Sequence, residues 1–295
     1  MAEIHEIKRR LAAVAQTRQI TNAMYLISST RMKHEMRRVE YSKEYFTRAR
    51  ATVKDILEKS RDIDHPYLSR RTGGRAAFLV IAGDKGLCGS YNSDILKFAL
   101  EYVNSYSVHY VETVGRMATS FFRRNKIIPD AEIIGAALSP TLFMARRIVE
   151  NLFSLYDNNL IDEVYIIYTR FENAAVQTPS CVRLLPLYLE DYDDVKLEFR
   201  YNNTMIYEPS PITVFNSLVP QYAIGLVFST LAQSFTSEQC ARMNAMNSAT
   251  KNADEMTEKL SHQYNTERQL AITNEIAEIT AGAAGAKQQA EMRGL

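Results

Sequence analysis

A chain of 295 residues, 46% apolar and 23% charged, is long enough to bury a substantial core, and its composition excludes wholesale disorder. The net charge is only +1, but it is unevenly spread: residues 1–60 hold 13 Lys+Arg against 7 Asp+Glu, and residues 208–295 hold 6 against 9. A basic arm and an acidic arm suit a chain that pairs with itself, or a basic arm that meets an acidic partner, and the mixed signs argue against nucleic acid.

Residues 1–65 contain neither Gly nor Pro, and the segment Ile4–Lys59 is rich in Ala, Arg, Lys, Glu, Met and Leu. Both facts predict one helix, about 80 Å long at ~1.5 Å per residue. A helix of that length outreaches any single core of this size and needs a partner. Ile4, Ile7, Leu11 and Val14 follow the 3-4-3 spacing of a coiled-coil seam, and Ile20, Met24 and Ile27 restart it after a stutter. The start Met1–Lys8 lacks a basic-then-apolar signal pattern, and no apolar run is expected to approach the ~20 residues that span a bilayer, so a soluble protein, able to sit beside a membrane, is expected.

From Gly73 the texture changes. Ala76–Ala82 is a continuous apolar run, the mark of a strand covered on both faces. A helix is predicted from about Ser93 to Tyr106, a strand at His109–Val114 and a helix at Arg116–Lys126. Ser139 reads as an N-cap with Pro140 at the first helical position, opening a helix to about Tyr156. Asp162–Phe171 reads as another buried strand, and Cys181–Leu187 as an edge strand because of Pro186. Alternating strands and helices predict a mainly parallel sheet. Residues 226–281 again lack Gly and Pro, with a seam at Met243, Met246, Thr250, Ala253, Thr257, Leu260 and Tyr264 and a second stripe at Ile272, Ile276 and Ile279.

The expected fold class is therefore α/β: an antiparallel coiled coil of long N- and C-terminal helices (1–65 and 208–295) flanking an inserted Rossmann-like α/β domain (73–190). Thr, Ala and Asn replace Leu along the seam, so the pair alone is marginal and outside partners are expected to enclose it; ordinary bundle helices are the competing reading.

Few residues suggest chemistry. The loop Gly83–Ser90 lies where phosphate-binding loops lie, after a strand and before a helix, but its glycines are spaced G-x-x-G-x-x-G and no Gly-Lys-Ser/Thr follows. A tight strand-to-helix turn is the simpler reading. Cys88 in that loop is expected to be a small packed residue rather than a reactive thiol. Cys88, Cys181 and Cys240 are far apart and odd in number, and the five histidines are scattered, which argues against disulfides and metal sites and for a reducing compartment. Arg31, Lys33, Arg37 and Arg38 form either a solvated face or a docking surface for acidic loops. An enzyme or nucleotide-binding module built on the α/β domain, and a homodimeric coiled-coil adaptor, are the rival functions.

Several blocks resemble one family. Ile7–Val14 followed by Gln16–Met24, the loop Asp84–Asn92, the stretch Glu238–Ala253, and Tyr264-Asn265, Arg268-Gln269, Ile272–Ile276 and Ala281–Ala284 occur in the order found in the gamma subunit of rotary F-type ATP synthases. The middle, from about Val108 to Tyr207, is similar by layout rather than by motif. Ser90 stands where the family has a second glycine, Arg18-Gln19 where it has Gln-Lys, and Asn22 before Ala23-Met24 departs from it too.

The resemblance implies a central-stalk rotor without catalytic residues, cofactor or metal. Its helical shaft would stand inside a hexamer of alpha and beta subunits, and its lower part would bind the epsilon subunit and a membrane ring of c subunits driven by protons or sodium ions. Met24, Arg268, Gln269 and Thr273 occupy positions that would contact the beta subunit, and Arg10, Arg18, Arg31 and Lys33 would lie near acidic loops by charge. Thr250, Ala253 and Thr257, small or polar, would suit a surface that slides. The absence of a transit peptide and of an inserted cysteine pair points to a bacterial complex, on the cytoplasmic face of the inner membrane.

Overall fold

A computed structural model describes residues 2–59, 65–71, 73–135, 139–193, 195, 208 and 210–292. The elements run α1 (Ala2–Lys59), β1 (Arg75–Ile81), α2 (Tyr91–Asn104), β2 (Val108–Val114), α3 (Arg116–Arg124), β3 (Ala131–Ile133), α4 (Leu142–Asp157), β4 (Glu163–Phe171), β5 (Gln177–Leu185), a 3-10 turn (Leu189–Tyr192) and α5 (Pro211–Met292). They form two compact units, Met1–Leu26 with Ala245–Leu295, and Ile27–Asn244.

The larger unit is built on a five-stranded sheet ordered β3-β2-β1-β4-β5. β1 is central and parallel to both β2 and β4, and β5 joins antiparallel at the edge. Alternation along β1 divides its side chains between two cores. Ala77, Leu79 and Ile81 face α4 and the sheet-side stretches of α1 and α5, through Val53, Ile56, Leu152, Phe215 and Leu226. Ala76, Phe78, Val80 and Ala82 face α2 and α3, through Ile95, Leu96, Ala118 and Phe122. Helices thus cover both faces, which is why this strand is apolar without a break.

Several expectations change. β5 begins at Gln177 and accommodates Pro179, which an edge strand tolerates. The cap of α4 is Thr141, whose hydroxyl accepts from Met144 N at 3.2 Å; Pro140 therefore precedes the helix instead of opening it. β3, only three residues long, left no periodic trace in the sequence. Within Ile212–Ala284 of α5 one stretch is apolar enough, by length and composition, to cross a membrane. Polar residues interrupt that stretch, and Phe215, Val219, Leu226, Val227 and Leu231 of this helix are buried against the sheet.

The smaller unit pairs the start of α1 with α5 beyond Ala245. Thr21 and Thr250 hydroxyls meet at 2.8 Å, and Arg18 pairs with Asp254. As numbers fall on one helix they rise on the other, so the pair is antiparallel. Ile4, Ile7, Leu11 and Val14 are half-buried while most of their neighbours on α1 are exposed, as 3-4 spacing requires. The predicted restart holds only at Met24, which is half-buried, whereas Ile20 and Ile27 are 53% and 54% exposed. Thr21 and, in the larger unit, Ser28 are buried at the next turns instead, because small side chains let helix backbones approach more closely than isoleucine does. On α5, Ala253 is buried and Thr250 and Thr257 are half-buried, as the predicted seam requires.

Candidate functional site

Two features of the structure bear on function. The first is a clamp inside the larger unit. β1 ends in Gly83–Ser90, and Asn92, in the first turn of α2, folds back over that loop. Its side-chain oxygen accepts from Gly83 N at 2.9 Å, and its Nδ2 donates to Lys85 O at 3.2 Å. From α5, Arg242 donates to Gly86 O at 3.2 Å, Lys85 O at 3.4 Å and Glu238 Oε1 at 2.6 Å. Both members of this ion pair are buried, with side chains 10% and 5% exposed. Burial pushes the Glu238 carboxyl up, and the Arg242 guanidinium pulls it back.

Around the clamp, Ser234–Cys240 of α5 are buried without interruption. Seven consecutive positions span nearly two turns, so every face of the helix is covered there. Most of these side chains are polar, and several are bonded within the protein: Ser234 Oγ accepts from Thr169 N at 3.2 Å, Thr236 Oγ1 donates to Ala232 O at 2.8 Å, and Cys240 Sγ lies 3.2 Å from Ala174 O, while the backbone Ser234 O accepts from Tyr91 OH at 3.0 Å.

This geometry decides the reading of the loop. Lys85 and Gly86 direct carbonyl oxygens at a guanidinium, so the loop's inner face already accepts hydrogen bonds from protein, and its carbonyls repel phosphate oxygens. At the neighbouring turn Asp84 Oδ1 already takes the Arg116 N–H, at 3.0 Å, at the start of α3. Cys88 is 2% exposed and its thiol is pushed up by burial, which makes it a poor nucleophile. Among the described residues no group of three or more His, Cys, Asp or Glu could hold a metal ion.

The second feature is the far end of α5. Carrying the antiparallel register along the smaller unit, Glu6, Ile7 and Arg10 share a groove with His262, Gln263, Thr266 and Glu267. α5 therefore passes the first residue of α1 near position 270. Beyond it Ile272, Ile276 and Ile279 are 45%, 59% and 66% exposed. No described residue covers this apolar stripe at i, i+4 and i+7, which makes it a face suited to a partner.

The expected contact residues fall at two levels. Arg268, Gln269 and Thr273 lie together and exposed near that bare end, with Thr273 Oγ1 turned back to Gln269 O at 2.8 Å. Met24 is half-buried and sits level with about Ser248, some 20 residues or ~30 Å along α5 from Arg268. The structure does not bring it together with the other three. Arg10 pairs with Glu6, and Arg18 with Asp254. Of the larger unit's basic run, Arg31, Lys33 and Arg37 are exposed, whereas Arg38 holds Glu35 and Pro140 O.

The family profile described as ATP synthase matches residues 3–285. An ATP synthase gamma chain from Acetivibrio thermocellus is 39% identical over 298 residues, covering 97% of this chain and all of the relative. One from Ruminiclostridium cellulolyticum is 40% identical over 286 residues, covering 95% and 97%. The chain belongs to the ATP synthase gamma family. A chain of the Tetrahymena thermophila mitochondrial ATP synthase, solved as central stalk and c-ring, superposes with a TM-score of 0.60 at 27% identity, over 78% of this chain and 99% of that one. One from the Euglena gracilis mitochondrial enzyme has the same fold, with a TM-score of 0.67 at 16% identity over 96% and 94%.

As a gamma chain, this protein is a non-catalytic, central-stalk rotor subunit of a membrane-associated ATP synthase complex. Two of the blocks that carry the resemblance, Asp84–Asn92 and Glu238–Ala253, meet in the clamp. Sequence reasoning found both blocks but not their contact. The one local signal was an i, i+4 Glu238/Arg242 pair in a helix, which ordinarily marks a solvated face.

Proposed function

We propose that this gamma chain couples ion-driven rotation of a membrane ring of c subunits to ATP synthesis in a hexamer of alpha and beta subunits, from the cytoplasmic face of a bacterial inner membrane. The reading is carried by the bare C-terminal stretch of α5, whose exposed isoleucines and neighbouring Arg268, Gln269 and Thr273 suit an enclosing sleeve of other subunits. In this reading Arg268, Gln269, Thr273 and, ~30 Å away, Met24 contact the beta subunit at two heights. The basic Arg31, Lys33 and Arg37 approach acidic loops, and the α/β unit binds the epsilon subunit and the c-ring. The seam supports it too: Thr, Ala and Ser at buried positions hold two helices together without a large apolar core, which an enclosing partner would supplement.

The test is copurification. Tagged chain from its native membranes should bring down alpha, beta, epsilon and c subunits with ATPase activity. Replacing Arg268, Gln269 and Thr273 together by Ala should lower ATP synthesis about tenfold or more, by loss of several charged and polar contacts. Isolation of the tagged chain alone, or as a stable homodimer, would refute the proposal.

A further inference from the structure

β2 carries a carboxylate where the sheet should be apolar. Glu112 is 2% exposed, pairs in register with Leu79 of β1 and Ala131 of β3, and alternates with Tyr110 and Val114 on the face covered by α4. One α4 side chain reaches it: Asn151 Nδ2 donates to Glu112 Oε2 at 3.0 Å and to Tyr110 OH at 3.1 Å. An amide N–H donor favours the ionised carboxylate, but one neutral hydrogen bond replaces only part of the solvation that a carboxylate loses on burial between the sheet and α4, so ionisation there favours opening.

The partners seen for most charged groups on the packed elements lie elsewhere, Arg50 and Lys54 of α1 donating to Asp191 O and Val195 O, while Asp55 of α1 is another buried carboxylate on this side of the sheet. Arg38 of α1 holds Glu35 and Pro140 O, Asp130 ahead of β3 accepts from Val111 N, and Arg123 of α3 pairs with Glu132 of β3. Arg146, Arg147 and Glu150 of α4 are exposed, and Phe215–Leu231 of α5 contains no charged residue. Tyr110, whose phenol is pushed up by burial, stays neutral beside it.

We infer that Glu112 is a proton-linked latch that seats α4 on the sheet when protonated and loosens it when ionised. α4 is also one wall of an open groove of about 590 Å³, formed by Arg146, Glu150 and Phe153 against Pro220 and Ile224 of α5. Loosening α4 therefore alters a surface as well as a core.

Burial pushes the Glu112 carboxyl from 4.5 up to about 7, with Asn151 opposing the rise. A folded-state value above the open-state value means that the latch holds fully at low pH and is lost as pH rises through about 7. Linkage between those two values makes local opening about tenfold more frequent at pH 8 than at pH 6.

Hydrogen exchange of the α4 amides in the full chain, corrected for intrinsic rates, tests this. The wild type should show that tenfold rise, and Glu112→Gln, a neutral isostere, should be flat over the same interval. Asn151→Ala removes the hydrogen bond that favours the carboxylate and should move the midpoint to higher pH. A wild type without pH dependence, a Glu112→Gln that rises as the wild type does, or an unmoved midpoint in Asn151→Ala overturns the latch. If Glu112→Gln does not fold, the wild-type profile and the Asn151→Ala midpoint decide.

Discussion

At the scale of single residues, Arg242 shows why a buried charge pair is judged by what its loss leaves behind. Its guanidinium meets Glu238 and two loop carbonyls. Arg242→Ala leaves a buried carboxylate and two carbonyls without that donor, and should cost about 3–5 kcal/mol in chemical denaturation at pH 7. Without the Arg242 guanidinium, burial pushes the Glu238 carboxyl up further. The deficit should therefore shrink as the pH falls, because protonation removes the uncompensated charge. A pH-independent deficit would show that Arg242 acts through packing alone. None of this was legible in the sequence, since the loop it grips is more than 150 positions away and hydrogen-bonds through backbone atoms, which any sequence has.

At the scale of elements, legibility followed periodicity and length. β1 was readable because both its faces are buried, and α1 and α5 because Gly and Pro are absent over long stretches. Ile4, Ile7, Leu11 and Val14 were readable as seam because their spacing matches the contact. Ile20 and Ile27 misled for the converse reason: hydrophobicity implied burial, but close helix approach favours Thr21 and Ser28 at those turns. β3 was unreadable because three residues give no period. The contact residues Arg268, Gln269 and Thr273 were placed by resemblance, and no local pattern separates them from other exposed polar positions. The same geometry predicts how the end of α5 behaves. A helix without a neighbour frays, because isolated helices of about a dozen residues are marginal in water. Brief proteolysis of the free chain should cut after about Ala271, in the exposed stretch 272–284, before it cuts β1 or β4. First cuts inside the sheet would contradict the bare-helix geometry.

For the whole molecule, the two units differ in what holds them. The larger has two apolar clusters, one on each face of the sheet. In the smaller, among described residues, only Met246 and Ala253 are buried apolar side chains, supplemented by the Thr21–Thr250 pair and a solvent-exposed Arg18–Asp254 bridge. Apolar burial stabilises by roughly 25 cal/mol per Å² and an exposed ion pair by about 0–1 kcal/mol, so the imbalance cannot be made up by charge. The units should therefore open at different free energies. In a denaturant series followed by hydrogen exchange, amides of residues 4–26 and 245–284 should lose protection at concentrations where β1, β2 and β4 remain protected. One shared midpoint would mean that the seam is stronger than its burial allows. If the rotor reading holds, assembly with the other subunits should raise protection in those helical segments by more than in β1, β2 and β4, whose amides already lie within a sheet covered on both faces.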